Sequence, residues 1–147
     1  MADKSGCVEK AVSNFQNGYN CAQSVLLATQ EFWNVANPLE PKVVSAFGGG
    51  IGRRGSVCGA LTGGVIAIGL RYGTNNPVPE EREKAYLAAL SFFNRFKKEC
   101  GGILCRELIG YDLTDPEEME KARNSKVFAN RCVHFVEKAV EILVDLK

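Results

Sequence analysis

Residues 48–73 read GGGIGRRGSVCGALTGGVIAIGLRYG, a glycine-dense loop followed by a long apolar run. The loop carries Arg53 and Arg54 and leads into Ser56, a residue type that caps helix N-termini, so a helix is expected to begin there with Cys58 in its first turn. From Val57 to Leu70 the run is apolar but shorter than the ~20 residues that cross a bilayer, which predicts a buried core helix. Gly59, Gly63 and Gly64, with Ala60 and Ala67, keep much of its surface small. Each Gly inside a helix costs about 1 kcal/mol relative to Ala, and close approach of another backbone is what offsets it.

The same placement bears on chemistry. A helix N-terminus carries partial positive charge, and two guanidinium groups stand just before this one, so the ionised sulfur of Cys58 is expected to be stabilised. The thiolate is the form that attacks disulfides and ligates metals. Tight helix packing by itself accounts for the small residues, but not for a cysteine placed behind two arginines.

On the N-terminal side, Cys7, Val8, Ala11, Val12 and Phe15 recur at helical spacing within Lys4 to Gln16, and Asn17-Gly18 supplies a stop. Asn20 caps a second helix that runs to about Trp33 and aligns Cys21, Val25, Ala28 and Phe32. Pro41 to Phe47 reads as a short helix entering the glycine loop, with a strand as the alternative. On the C-terminal side, Pro79 with Glu80 and Glu81 starts a long helix expected to carry Tyr86, Leu87, Leu90, Phe93 and Phe96 inward, ending near Cys100 before Gly101-Gly102. Cys105 opens a short helix, Asp115-Pro116 a charged one, and about Lys126 to Leu146 aligns Phe128, Cys132, Phe135, Val136, Ala139, Val140 and Leu143. With no repeat and no convincing run of strands, the expectation is an all-α, single-domain bundle (residues 1–147) of about five to seven helices around the buried glycine-rich helix.

Composition narrows the chemistry. The chain has 147 residues and a net charge of +1 with the two signs interspersed, which points away from nucleic acid and from membrane insertion. The opening MADKSGCVEK lacks the apolar centre of a secretory leader, so a cytoplasmic protein is expected. Six cysteines in a reducing compartment favour metal binding or redox chemistry over a static disulfide framework.

Rival motifs are weaker. Gly50 to Gly55 satisfies G-x-G-x-x-G, but a dinucleotide site also needs flanking strands and an acidic residue that this helical pattern does not supply. Cys-x-x-Cys is absent, which argues against a thioredoxin-like site and an ordinary zinc ribbon. Cys100 and Cys105 stand on either side of Gly101-Gly102, as a sulfur pair or as incidental neighbours. His134, the only histidine, is rotated off the apolar stripe and reads as a surface residue.

Asn20-Cys21-Ala22-Gln23, the block GGGIGRRGSVCGALTGG, Cys105-Arg106-Glu107-Leu108 and the late Cys132 together resemble the redox-active family C_GCAxxG_C_C, over nearly the whole chain. The resemblance implies that Cys21, Cys58, Cys105 and Cys132 are the hallmark cysteines, and that Cys7 and Cys100 are extras. It also implies a similarity to a module of split-Soret cytochromes c, which carry an iron-sulfur centre as well as haem. Covalent c-type haem is not expected here, since Cys-x-x-Cys-His is missing.

Three functions follow as expectations. The first is a redox protein whose Cys21, Cys58, Cys105 and Cys132 converge and cycle between thiol and disulfide with a redox partner protein, Arg53 and Arg54 stabilising the Cys58 thiolate. In the second, the same cysteines hold an iron-sulfur cluster or zinc. The third is an interaction module with inert buried cysteines. A homodimer packed through the small-residue helix is consistent with all three.

Overall fold

The computed structural model describes residues 3–147. Met1 and Ala2, the start of the decapeptide read for a leader, lie outside them. Helix α1 (Lys4–Gln16) opens where the Asp3 carboxylate accepts from the Gly6 N–H. Helix α2 (Cys21–Phe32) opens on a reciprocal cap: Gln23 N–H donates to the Asn20 side chain and Asn20 N–H donates to Gln23, both at 3.0 Å. Between Pro41 and Phe47 the chain forms a 3-10 helix, so the helical alternative holds for that segment.

Helix α3 (Gly59–Tyr72) is the buried glycine-rich centre. It packs on α2, on the long α4 (Pro79–Cys100) and on the C-terminal α7 (Val133–Val144), while α1 packs across α2 and α7. Its glycines make this arrangement possible. A methyl group on Gly63 would strike the Ala22 backbone, and one on Gly64 would enter the Phe92 ring. The small face is thus occupied by α2 and α4 of the same chain rather than by a two-fold mate. Short helices α5 (Cys105–Ile109) and α6 (Pro116–Ser125) follow, and a π-helical turn, Phe128–Cys132, leads into α7. Among the described residues there are seven α-helices and only an isolated bridge of β type, an all-α fold in which no helix is long and apolar enough to cross a membrane.

Helix α4 departs from its expected orientation. Phe92 and Phe96 are the fully buried residues, their rings 6.2 Å apart edge to face, whereas Tyr86, Leu87 and Leu90 face outward. The helix carries two apolar stripes, and shape decides between them. Ala85, Ala88 and Ala89 permit close approach to the core, and the Phe92 ring fills the space that the missing side chain of Gly64 leaves open.

Candidate functional site

The site begins with an unusual run of backbone. Gly49, Gly50, Ile51, Gly52 and Arg53 are all left-handed, with φ of 68°, 68°, 67°, 55° and 69°. Three are glycines, which adopt this conformation freely; Ile51 and Arg53 are held in it at a cost of about 1–3 kcal/mol each. The run is closed by Gly55 N–H donating to Gly49 and Ser56 N–H donating to Gly50, at 3.1 and 2.9 Å. The turn brings Ser56 to Cys58 antiparallel to Ile103 to Cys105.

That short pairing joins two of the cysteines. Cys58 N–H donates to the Ile103 carbonyl and Cys105 N–H donates to the Ser56 carbonyl, each at 2.7 Å, around the facing pair Val57 and Leu104. Alternation along paired backbones sets Cys58 and Cys105 on one face and Val57 and Leu104 on the other. Ser56 does not cap α3 as expected. Cys58 itself occupies the cap position, with no side-chain hydrogen bond. Gly50 makes the crossing feasible, since a methyl group there would lie 2.7 Å from Cβ of Cys105 and 2.6 Å from the Ser56 carbonyl oxygen.

Cys21 arrives from the first turn of α2 and Cys132 from the π turn before α7. All four sulfur residues line one cavity of about 150 Å³, walled otherwise by Asn20, two glycines and apolar side chains that include Phe15, Leu108, Phe128 and Phe135. The N–H groups of Ala22, Gly49 and Gly59 act on the Cys21 sulfur and favour its ionised form. Cys7 and Cys100 are elsewhere. Cys7 is buried between α1 and α2, donating to the Ala28 carbonyl at 3.4 Å, which fits the small-hydrophobe role. His134 is exposed, as expected.

The electrostatics reverse one expectation. Burial pushes the Cys58 thiol well above its ordinary range, charge on Cys21, Cys105 or Cys132 would push it further, and the Ala60 N–H only partly opposes this. Burial likewise raises Cys21, takes Cys105 up to about 11 and takes Cys132 to about 12. Arg53 and Arg54 are exposed and line no part of the cavity. Arg53 lies in an outer groove that shares Asn20, Gly49, Leu113 and Phe128 with the cavity wall. The charge of Arg54 falls on Asp112, which is held low first by hydrogen bonds from Thr114 and then by Arg106 and Arg54. Desolvation wins over the helix terminus because the guanidinium groups point into water.

The aromatic wall was only half legible in sequence. Phe128, Cys132 and Phe135 share the predicted stripe, but that the stripe faces a cavity depends on the π turn, which no residue pattern announces. Among the described residues, no three Cys, His, Asp or Glu side chains stand together as ready ligands for one ion.

The family described as putative redox-active protein (C_GCAxxG_C_C) matches residues 19–146. The chain belongs to the C_GCAxxG_C_C family. The matched region contains all four cavity cysteines and Cys100, and leaves out Cys7. A protein of Archaeoglobus fulgidus described as uncharacterized is 29% identical over 155 residues, covering 99% of this chain and 95% of the relative. No solved structure matches. The C_GCAxxG_C_C chain thus combines a redox family description with four thiols around one largely apolar cavity.

Proposed function

We propose that this chain is a cytoplasmic electron-transfer protein, acting as one domain, in which Cys21, Cys58, Cys105 and Cys132 hold an iron-sulfur cluster. The observation that carries it is the donor set: four thiols, without carboxylate or imidazole, on one apolar cavity. Buried thiols that raise one another's pKa are poor nucleophiles at neutral pH, whereas a cationic iron core offsets the mutual repulsion of four thiolates. Bound there, the cluster supplies one-electron chemistry. The protein's part is to deliver four thiolates, to direct the N–H groups of Ala22, Gly49 and Gly59 at the Cys21 sulfur, and to exclude water with Phe15, Phe128 and Phe135. Such N–H groups favour the more negative state and so raise the potential.

Geometry weighs against a disulfide between Cys58 and Cys105. Cys58 and Cys105 are diagonal neighbours across their pairing, a placement with Cα atoms about 7–8 Å apart in ordinary ladders, and most disulfides span less. The test is anaerobic purification followed by reconstitution with iron and sulfide, read as iron, acid-labile sulfide and visible absorption. Iron and sulfide together with a charge-transfer band support the cluster. A colourless protein whose thiols disappear in pairs on oxidation supports disulfide cycling, zinc alone supports a structural ion, and thiols inert in every assay leave only the interaction module.

A further inference from the structure

The outward stripe of α4 has no counterpart inside the chain. Tyr86, Leu87 and Leu90 are 62%, 58% and 58% exposed in the middle of a 22-residue helix. Glu83, Leu87, Leu90, Asn94 and Lys97 follow the alternating four-and-three spacing of a helix-pairing seam, and all five are exposed. The charged ends of the stripe are equidistant from Leu90. Seven residues before it stands Glu83 and seven after it Lys97, each about 10 Å along the axis at the helical rise. Among the described residues, neither forms an ion pair within the chain.

We infer that α4 packs antiparallel against α4 of a second copy of this chain, about a two-fold axis at Leu90. Leu90 then meets its own copy on the axis, while Leu87 comes level with Asn94 and Glu83 with Lys97, each of these two contacts occurring twice as an isologous interface requires. Exposed area agrees. A monomeric protein of 16.0 kDa exposes about 7,400 Å², whereas this chain exposes 8359 Å². The excess is close to the roughly 800 Å² that each partner loses in a standard interface. Helix α4 contributes nothing to the cysteine cavity, so pairing leaves the cavity and its outer groove free. The inference is therefore independent of what the cysteines bind.

The experiment is sedimentation equilibrium on the full chain at micromolar concentration, with far-UV circular dichroism confirming the fold of each variant. The wild type is expected to be a dimer and Leu90→Glu a folded monomer. Glu83→Lys and Lys97→Glu should each weaken dimerisation about tenfold or more, because each sets like charges opposite one another twice. The double variant Glu83→Lys/Lys97→Glu restores opposite charges and should recover the wild-type dissociation constant. A monomeric wild type, a dimer that survives Leu90→Glu, or a double variant no tighter than the singles would overturn the proposal.

Discussion

The sulfur of Cys21 rests against the bare Cα of Gly59, so closely that a methyl group on Gly59 would overlap it. The same methyl would stand 3.2 Å from the Phe47 carbonyl and 3.3 Å from the Ala22 nitrogen. The contact ties the start of α3 to the start of α2 and fixes one wall of the cavity. Gly59→Ala is therefore expected to destabilise the fold by about 1–3 kcal/mol through overpacking and to lower bound iron sharply. Gly69→Ala in the same helix meets open space and should stabilise by about 0.4–1 kcal/mol. Urea unfolding and iron content on both variants check the contrast.

Substitution in the left-handed loop separates strain from collision. Gly52→Ala meets no neighbour but sits at φ 55°, so it should cost about 1–2 kcal/mol and leave the cavity intact. Gly50→Ala has the same strain and also collides with Ser56 and Cys105, so it should cost more and disrupt iron binding. Equal losses in the two variants would mean that the crossing is not tight.

Membership of the site is tested one cysteine at a time. Replacing Cys21, Cys58, Cys105 or Cys132 with Ser should each remove most of the iron and the visible absorption. Cys7→Ala and Cys100→Ala should keep both, since neither sulfur reaches the cavity. Cys7→Ala costs only about 1 kcal/mol, the order of one modest buried interaction.

The metal-free protein should lose stability in alkali. The fold raises Cys105 from the ordinary 9.0 to about 11 and Cys132 to about 12, so the folded chain holds those protons more tightly than the unfolded one. That contribution is complete below pH 9.0 and is lost as pH climbs through the folded values of about 11 and 12. The urea midpoint should fall across this window, and Cys105→Ala/Cys132→Ala should flatten the fall. Alkylation of the folded protein near neutral pH should be far slower than that of the unfolded chain. Iron loading runs the other way, releasing protons as the thiolates form.

Much of this protein was determined by its sequence alone. The caps at Asn20 and Gly101, the proline at the start of α4 and the 3.6-residue spacing of α1, α2 and α7 are local signals, and local signals set helices. Gly63 and Gly64 announced close packing, and the pattern of cysteines was readable because helix starts are readable. Only the tertiary structure decided which way α4 turns, that Phe92 rather than Leu90 enters the core, and that Arg53 and Arg54 face water while Cys58 is buried. The physical reason is range. Caps and periodicity act over a few residues, whereas desolvation and shape depend on what arrives from elsewhere in the chain: Cys105 is brought to Cys58 by backbone pairing, and Cys132 to the cavity by a single widened turn.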